Sequence, residues 1–172
     1  MSKLENLDRA EGVIKLKKMI DDVKYCFFST DLKNELEPSS TVMTAQTVDD
    51  HGNIWFFSGI DSDRNKDIAI NKKVQLYFSC PEKNTYLSVT GDASIIIDKE
   101  KFAELWNPIL KIWFKDGIED KNISLLKVAT STAAYWDTEG SKMVNFFKMI
   151  SAAITGSQIN ESSPWNNKII KA

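Results

Sequence analysis

Histidine is almost missing from this chain: His51 is the single imidazole among 172 residues. Catalytic triads and most zinc sites are built on imidazole, which titrates near neutrality and ligates metals through a ring nitrogen. Chemistry of that kind has almost no material here, and His51 itself reads as an exposed turn residue. Cysteine is scarce as well. Cys26 and Cys80 lie inside apolar runs without a CxxC partner, where thiols behave as small buried hydrophobes, and a reduced, cytoplasmic setting is the expectation. The seven glycines form neither a dinucleotide-binding nor a P-loop pattern, which removes nucleotide-triphosphatase readings. No apolar stretch approaches the roughly 20 residues of a membrane span, and residues 1–8 are polar, with no signal-peptide core. Charge of one sign is not in excess either. Lys and Arg number 22 against 24 Asp and Glu, so the broad basic surface that nucleic acid requires is not expected. The carboxylates are scattered over helix faces and turns, and no acid/base pair stands out.

What is present fits one domain with a real core, at 42% hydrophobic content. From residue 7 to 23, Leu7, Val13, Ile14, Leu16, Met19, Ile20 and Val23 recur at helical spacing among charged residues, predicting an amphipathic helix that covers one face of the segments C-terminal to it. Residues 25–30 read as a short buried strand and 31–40, with Pro38, as a loop. A hairpin comes next: β-forming residues at 41–48 and 53–58 flank Asp49-Asp50-His51-Gly52, whose glycine supplies a positive φ. Residues 62–71 predict a short helix capped by Ser62, with Ile68, Ala69 and Ile70 as its apolar side. Strands at 74–80 and 85–97, the second bent or bulged at Gly91, meet in a turn marked by Pro81 and Asn84. A helix at 99–106, an aromatic-rich connection at 107–120, a strand region at 124–136 and a last amphipathic helix at 141–155, ended by Gly156, complete the pattern. The sum is a mainly β (α+β) fold: a small antiparallel barrel with peripheral helices over residues 1–156, then a polar tail at 157–172.

One constellation resists a purely structural account. The strand Ile54-Trp55-Phe56-Phe57-Ser58 runs through Gly59-Ile60-Asp61 into Ser62-Asp63-Arg64, which opens a helix. Hydroxyls, a guanidinium and unpaired helix amides converge there, the donors that suit a phosphate monoester. The ordinary alternative is a capping serine and a first-turn arginine with no ligand.

The run Ser40-Thr41-Val42-Met43-Thr44, the hairpin from Asp49 to Ser58 and Asp61-Ser62-Asp63-Arg64 resemble the flavin-site motifs of pyridoxamine-phosphate-oxidase-like proteins. Tyr86-Leu87-Ser88-Val89-Thr90-Gly91, Leu105-Trp106-Asn107-Pro108, Ile112-Trp113-Phe114, Leu125-Leu126-Lys127-Val128 and Ala134-Tyr135-Trp136-Asp137 resemble the general stress protein branch, in the expected order. The resemblance implies an FMN-binding split β-barrel of Greek-key topology, working as a homodimer with flavin mononucleotide (FMN, with FAD the larger alternative) between the subunits. Carried over by position, Val42, Met43 and Thr44 would present strand backbone to the isoalloxazine edge, with Thr41 at the head of the same motif. Phe57 and Ser58 would line the ring and ribityl chain, and Ser62 and Arg64 would take the phosphate. Trp136 matches the family's aromatic near the flavin, and Tyr86 falls where relatives place a polar contact.

The chain departs from the pattern in two ways. Many relatives carry arginine where this chain has Thr41, and a basic pair where it has Asp63-Arg64. Each lost cation weakens phosphate affinity by about 1 to 3 kcal/mol, unless Lys66, one turn along, compensates. Pyridoxamine-phosphate oxidases also place Arg and His after the tryptophan, whereas Trp136 precedes Asp137-Thr138-Glu139-Gly140, so vitamin B6 oxidation is not expected. The resemblance then implies a flavin-dependent oxidoreductase or flavin reductase with a stress role and a nicotinamide electron donor. The lost cations and the lack of a catalytic residue keep open a flavin-binding or sequestering module without turnover. A third alternative exchanges flavin for deazaflavin or haem, and a lone histidine in a turn argues against haem. Two expectations concern aromatics. A strand face with Trp55, Phe57, Tyr77 and Tyr86 would be an apolar patch unless a second subunit covers it. In the aromatic segment 105–116, Trp106, Pro108, Trp113 and Phe114 read either as a wall or lid over the ligand or as core packing, with Trp106 the core residue and Trp113 the better ligand contact.

Overall fold

The computed structural model describes residues 9–33, 39–137 and 140–145. Helix α1 (Arg9–Val23) buries Val13, Leu16, Met19 and Ile20 at spacings of three and four, and leaves Ile14 exposed; Leu7 lies outside the described residues. The helix stops at Lys24, which takes φ 59° and accepts a hydrogen bond from Ala45 N at 2.8 Å.

Strand β1 (Tyr25–Thr30) pairs antiparallel with β2 (Ser39–Thr44). The strand expected over 41–48 is in fact two. Ala45 N bonds to Lys24 and Gln46 N to the Trp55 carbonyl, so the chain changes partner at this corner and only β3 (Thr47–Val48) forms a hairpin with β4 (Asn53–Gly59). Asp49 closes that turn, accepting from His51 N, Asn53 N, Asn53 Nδ2 and Trp55 Nε1 at 2.9–3.0 Å. Burial alone would raise its carboxyl; these donors hold it below the usual carboxylate range. Gly52 takes φ 80° there.

Helix α2 (Asp63–Ile70) is capped by Ser62, whose side chain accepts from Asn65 N. Its inner face is Asn65 and Ile68, three apart, while Ala69 and Ile70 are exposed. The expected apolar side is corrected because Asn65 brings hydrogen-bond partners with it. Strand β5 (Lys73–Cys80) pairs with β1 and with β6 (Thr85–Ile96), and β6 runs beside β7 (Ile123–Asp137) for most of its length. The register shifts between Thr90 and Gly91, where a Cβ would lie 2.5 Å from the Ala129 carbonyl oxygen; only glycine fits. Between β6 and β7 come α3 (Lys99–Leu105), capped by Asp98, and two short 3-10 turns, Pro108–Ile112 and Gly117–Glu119.

The predicted helix at 141–155 is corrected over its first five residues. They belong to strand β8 (Gly140–Asn145), which pairs with β7 from Thr132 to Asp137. Strand β4 has already left that side of β7 at Ala129, and open backbone donors and acceptors favour a strand over a helix there. Residues 146–155 and the expected tail at 157–172 lie outside the described residues. The eight strands make one antiparallel sheet in the order β2-β1-β5-β6-β7-β4-β3, with β8 also on β7. This is the curled sheet of a split β-barrel with peripheral helices. Its interior holds Phe28, Ile54, Phe56, Leu76, Phe78, Val89, Leu126 and Val128, closed on one side by α1. Among the described residues no helix is long and apolar enough to cross a membrane.

Candidate functional site

Strand β4 is buried on both faces. Ile54 and Phe56 point into the barrel, whereas Trp55 and Phe57 point out and are roofed by α3 and the 108–119 segment. Phe57 is the hub of this second cluster, with its ring centroid 5.9 Å from Trp106, 6.2 Å from Phe114 and 6.3 Å from Phe102. The roof does not reach β2. A cavity of about 300 Å³ remains between them, lined by Val42, Met43, Thr44 and Gln46 on one side and by Phe57, Ser58 and Gly59 on the other. Leu110, Trp113 and Phe114 form its apolar wall, and Arg64 and Asn122 its polar end.

Arg64 reaches back from the first turn of α2 across the end of the cavity. Its Nη1 donates to Thr41 Oγ1 at 2.6 Å and its Nη2 to Ser58 Oγ at 3.1 Å. No carboxylate pairs with it among the described residues, and its buried Nε has no acceptor. Burial pulls the guanidinium below its ordinary value, yet arginine stays charged in proteins. Cys26 lies within reach of that charge. Burial pushes its thiol up to about 12 and the Arg64 charge only partly offsets this, so Cys26 is an inert core thiol.

Six of the ten residues carried over as flavin contacts therefore line one cavity: Val42, Met43, Thr44, Phe57, Ser58 and Arg64. Thr41 and Ser62 stand just behind, bonded to Arg64 and to Ser58 respectively. Tyr86 and Trp136 do not line it. They are partners across β6 and β7, on the exposed outer face of the sheet. Trp113 is on the wall and 65% exposed, whereas Trp106 packs in the second cluster. Lys66 does not supply the missing cation: it pairs with Asp63 at 2.8 Å on the exposed side of α2. The apolar face also needs correction, because α3 and the 108–119 segment bury Trp55 and Phe57 within the chain. The bare face instead carries Tyr25, Phe27, Val42 and Tyr77 together with Tyr86 and Trp136.

Phe114, read in the sequence with Trp113 as part of a wall or lid, does line the cavity, whereas sequence reasoning missed Gln46, Leu110 and Asn122. Asn122 holds the 59–61 corner: its carbonyl accepts from Ile60 N at 2.9 Å and its Oδ1 from Asp61 N at 3.1 Å. A lone asparagine before a strand gives no signal of that kind.

A family model for pyridoxamine 5'-phosphate oxidase-like proteins matches residues 11–160. The chain belongs to this family. Among solved structures, the split barrel is shared with a Clostridium acetobutylicum protein related to general stress protein 26 (TM-score 0.67, 20% identity, covering 83% of this chain and 99% of that one). General stress protein 26 of Bacillus anthracis is 27% identical, with a TM-score of 0.63 over 72% of this chain and 92% of that one. A general stress FMN/FAD-binding protein of Xanthomonas citri is 25% identical, with a TM-score of 0.63 over 75% and 89%. Protein bli-3 of Neurospora crassa is 28% identical over 90 residues, 48% of this chain; the chain spans 43% of that relative's length. The Bacillus anthracis and Xanthomonas citri neighbours are thus both general stress proteins, the branch that the order of the motifs implies.

Proposed function

We propose that this chain binds FMN in the cavity between β2 and β4, phosphate at Arg64, and acts as a flavin-dependent oxidoreductase or flavin reductase of the general stress type. The observation that carries the reading is Arg64, a half-buried guanidinium resting on two hydroxyls, without a carboxylate partner among the described residues. A cation so placed is costly unless an anion completes it, and its planar fork suits phosphate oxygens. One cation suits one phosphate monoester; the second phosphate of FAD would meet no further cation in the lining. Phe57, Leu110, Trp113 and Phe114 offer the aromatic and aliphatic surface that a flat ring system needs.

Bound flavin would supply the hydride and electron transfer. The chain's own part is narrower. Among the described residues neither carboxylate nor imidazole lines the cavity, and the part of the lining residues in this reading is to orient the ring, exclude water and hold the phosphate. The working unit in this reading is a homodimer, supported by the bare outer face where Phe27 neighbours Val42 and Tyr77, and Tyr86 neighbours Trp136. Val42 belongs both to that face and to the cavity lining, so a flavin there would lie at the subunit boundary, where a partner's aromatics come within reach. The free cysteines fit a cytoplasmic protein.

That the described lining holds one cation and no acid or base favours one second reading, a flavin-holding protein without turnover. The absorbance spectrum of freshly purified protein, followed by titration with NADH and NADPH, separates the two. Yellow protein that bleaches is the expected result; yellow protein that stays oxidised supports the holding role, and colourless protein that takes up no added FMN overturns both.

A further inference from the structure

Behind Arg64 lies a ring of side chains, two of which, Asn65 and Ser124, no motif contains. Asn65, the third residue of α2, is 2% exposed, and it faces Ser58 on β4 and Ser124 on β7, themselves 2% and 0% exposed. Two members of the ring cannot reverse their hydrogen bonds. Arg64 only donates, and gives one to Ser58 Oγ. The Ser58 carbonyl only accepts, and receives the Ser124 hydroxyl at 2.8 Å. Ser124 has then committed its hydrogen and accepts from Asn65 Nδ2 at 3.0 Å, which turns the amide so that Oδ1 faces β4. Ser58 Oγ, already accepting from Arg64, gives its own hydrogen to that Oδ1 at 2.8 Å. Ser62 Oγ joins the ring at one point, donating to the same Asn65 Oδ1 at 3.1 Å and lying 3.2 Å from Ser58 Oγ. With Arg64 a donor at one end and the Ser58 carbonyl an acceptor at the other, the main run goes from Arg64 through Ser58, Asn65 and Ser124 to that carbonyl.

We infer that Asn65 is a positioning residue for phosphate recognition: it fixes Ser58 as an acceptor and thereby holds the Arg64 guanidinium across the end of the cavity. This rests on the reading of the cavity as an FMN site. It also changes the role of Ser58, whose hydrogen is directed at Asn65, so that Ser58 supports the arginine and does not donate to the ligand. The phosphate then depends on the orientation of one cation, and that orientation depends on an amide that does not line the cavity.

Asn65→Asp keeps the shape, removes the Nδ2 donor and adds a negative charge beside Arg64; Ser124→Ala removes the acceptor that orients the amide. Each full-length variant is titrated with FMN and with riboflavin, which lacks the phosphate, and thermal melts identify the folded fraction. The wild type is expected to prefer FMN by about tenfold or more, the scale of a hydrogen bond to a charged group. Asn65→Asp should lose about ten- to a hundredfold in FMN affinity and Ser124→Ala a smaller part of that, while riboflavin affinity stays within about twofold in both. If Asn65→Asp does not fold, Ser124→Ala decides alone. Equal losses for both ligands, or an intact FMN preference in the folded variants, would overturn the role of Asn65 and leave the FMN site standing. A wild type with no preference for FMN overturns both.

Discussion

The outer face of the sheet is clothed differently in its two halves. Over β4 and the adjoining part of β7, Trp55, Phe57 and Leu125 are covered by α3 and the 108–119 segment. Over β2, β1, β5 and the far ends of β6 and β7, Tyr25, Phe27, Val42, Tyr77, Tyr86 and Trp136 stand open. The residue types barely differ. What differs is the chain between β6 and β7, which roofs one half and stops short of the other. Apolar content alone therefore does not tell whether a face is covered by the chain itself or left bare, and the cavity lies on the seam between these two cases.

Substitutions can break or sharpen that contrast. The largest effect belongs to the roofed half: Phe57→Ala removes the hub of three ring contacts and should cost about 3 to 5 kcal/mol, read from denaturant unfolding and independent of protein concentration. On the bare half, Phe27→Asp should cost about 2 to 4 kcal/mol of self-association, the range of a strong interface position, while the monomer keeps its stability within about 0.5 kcal/mol. Light scattering across micromolar concentrations checks it, and a wild type that stays monomeric there removes the dimer altogether. At the seam, Arg64→Ala should weaken FMN binding by about 1.5 to 3 kcal/mol and leave riboflavin nearly unchanged; equal losses would make Arg64 a surface residue. The smallest effect is Trp113→Ala. With the residue 65% exposed on the cavity wall, it should lose about 0.5 to 1.5 kcal/mol of flavin affinity with an unchanged apo melting temperature, whereas a lowered melt with normal binding would make Trp113 a packing residue.

Much of this was legible wherever the signal is local. Val74, Leu76 and Phe78 alternate with period two and are buried; Gly91 marks a register shift within a β run; Ser62 caps the helix it precedes. The failures share a cause: the deciding partner is distant in sequence. Nothing in residues 41–48 says that β2 pairs with β1 while β3 pairs with β4, because β propensity carries no address. Residues 141–145 include Met143 and Val144, which fit either period, and the free edge of β7 decides for a strand. In the cavity, the motif residues Val42, Ser58 and Arg64 were readable, but Asn65 looks like any solvated helix position until Ser124, 59 residues later, takes its hydrogen bond.

That distance also sets when the cavity comes into being. Gly59 pairs with Ile123 and Asn53 with Ala129, so β4 emerges during synthesis long before the strand that completes its environment. Contacts of such sequence separation form late and slowly. A nascent chain halted before residue 122 would carry the strands from β1 to β6 and helix α2, yet would lack Asn122 at the cavity end and Ser124 in the ring behind Arg64. If Arg64 takes the phosphate as proposed, capture of that anion would fall among the last events of folding, and a ligand held there would slow unfolding while leaving the early folding rate unchanged.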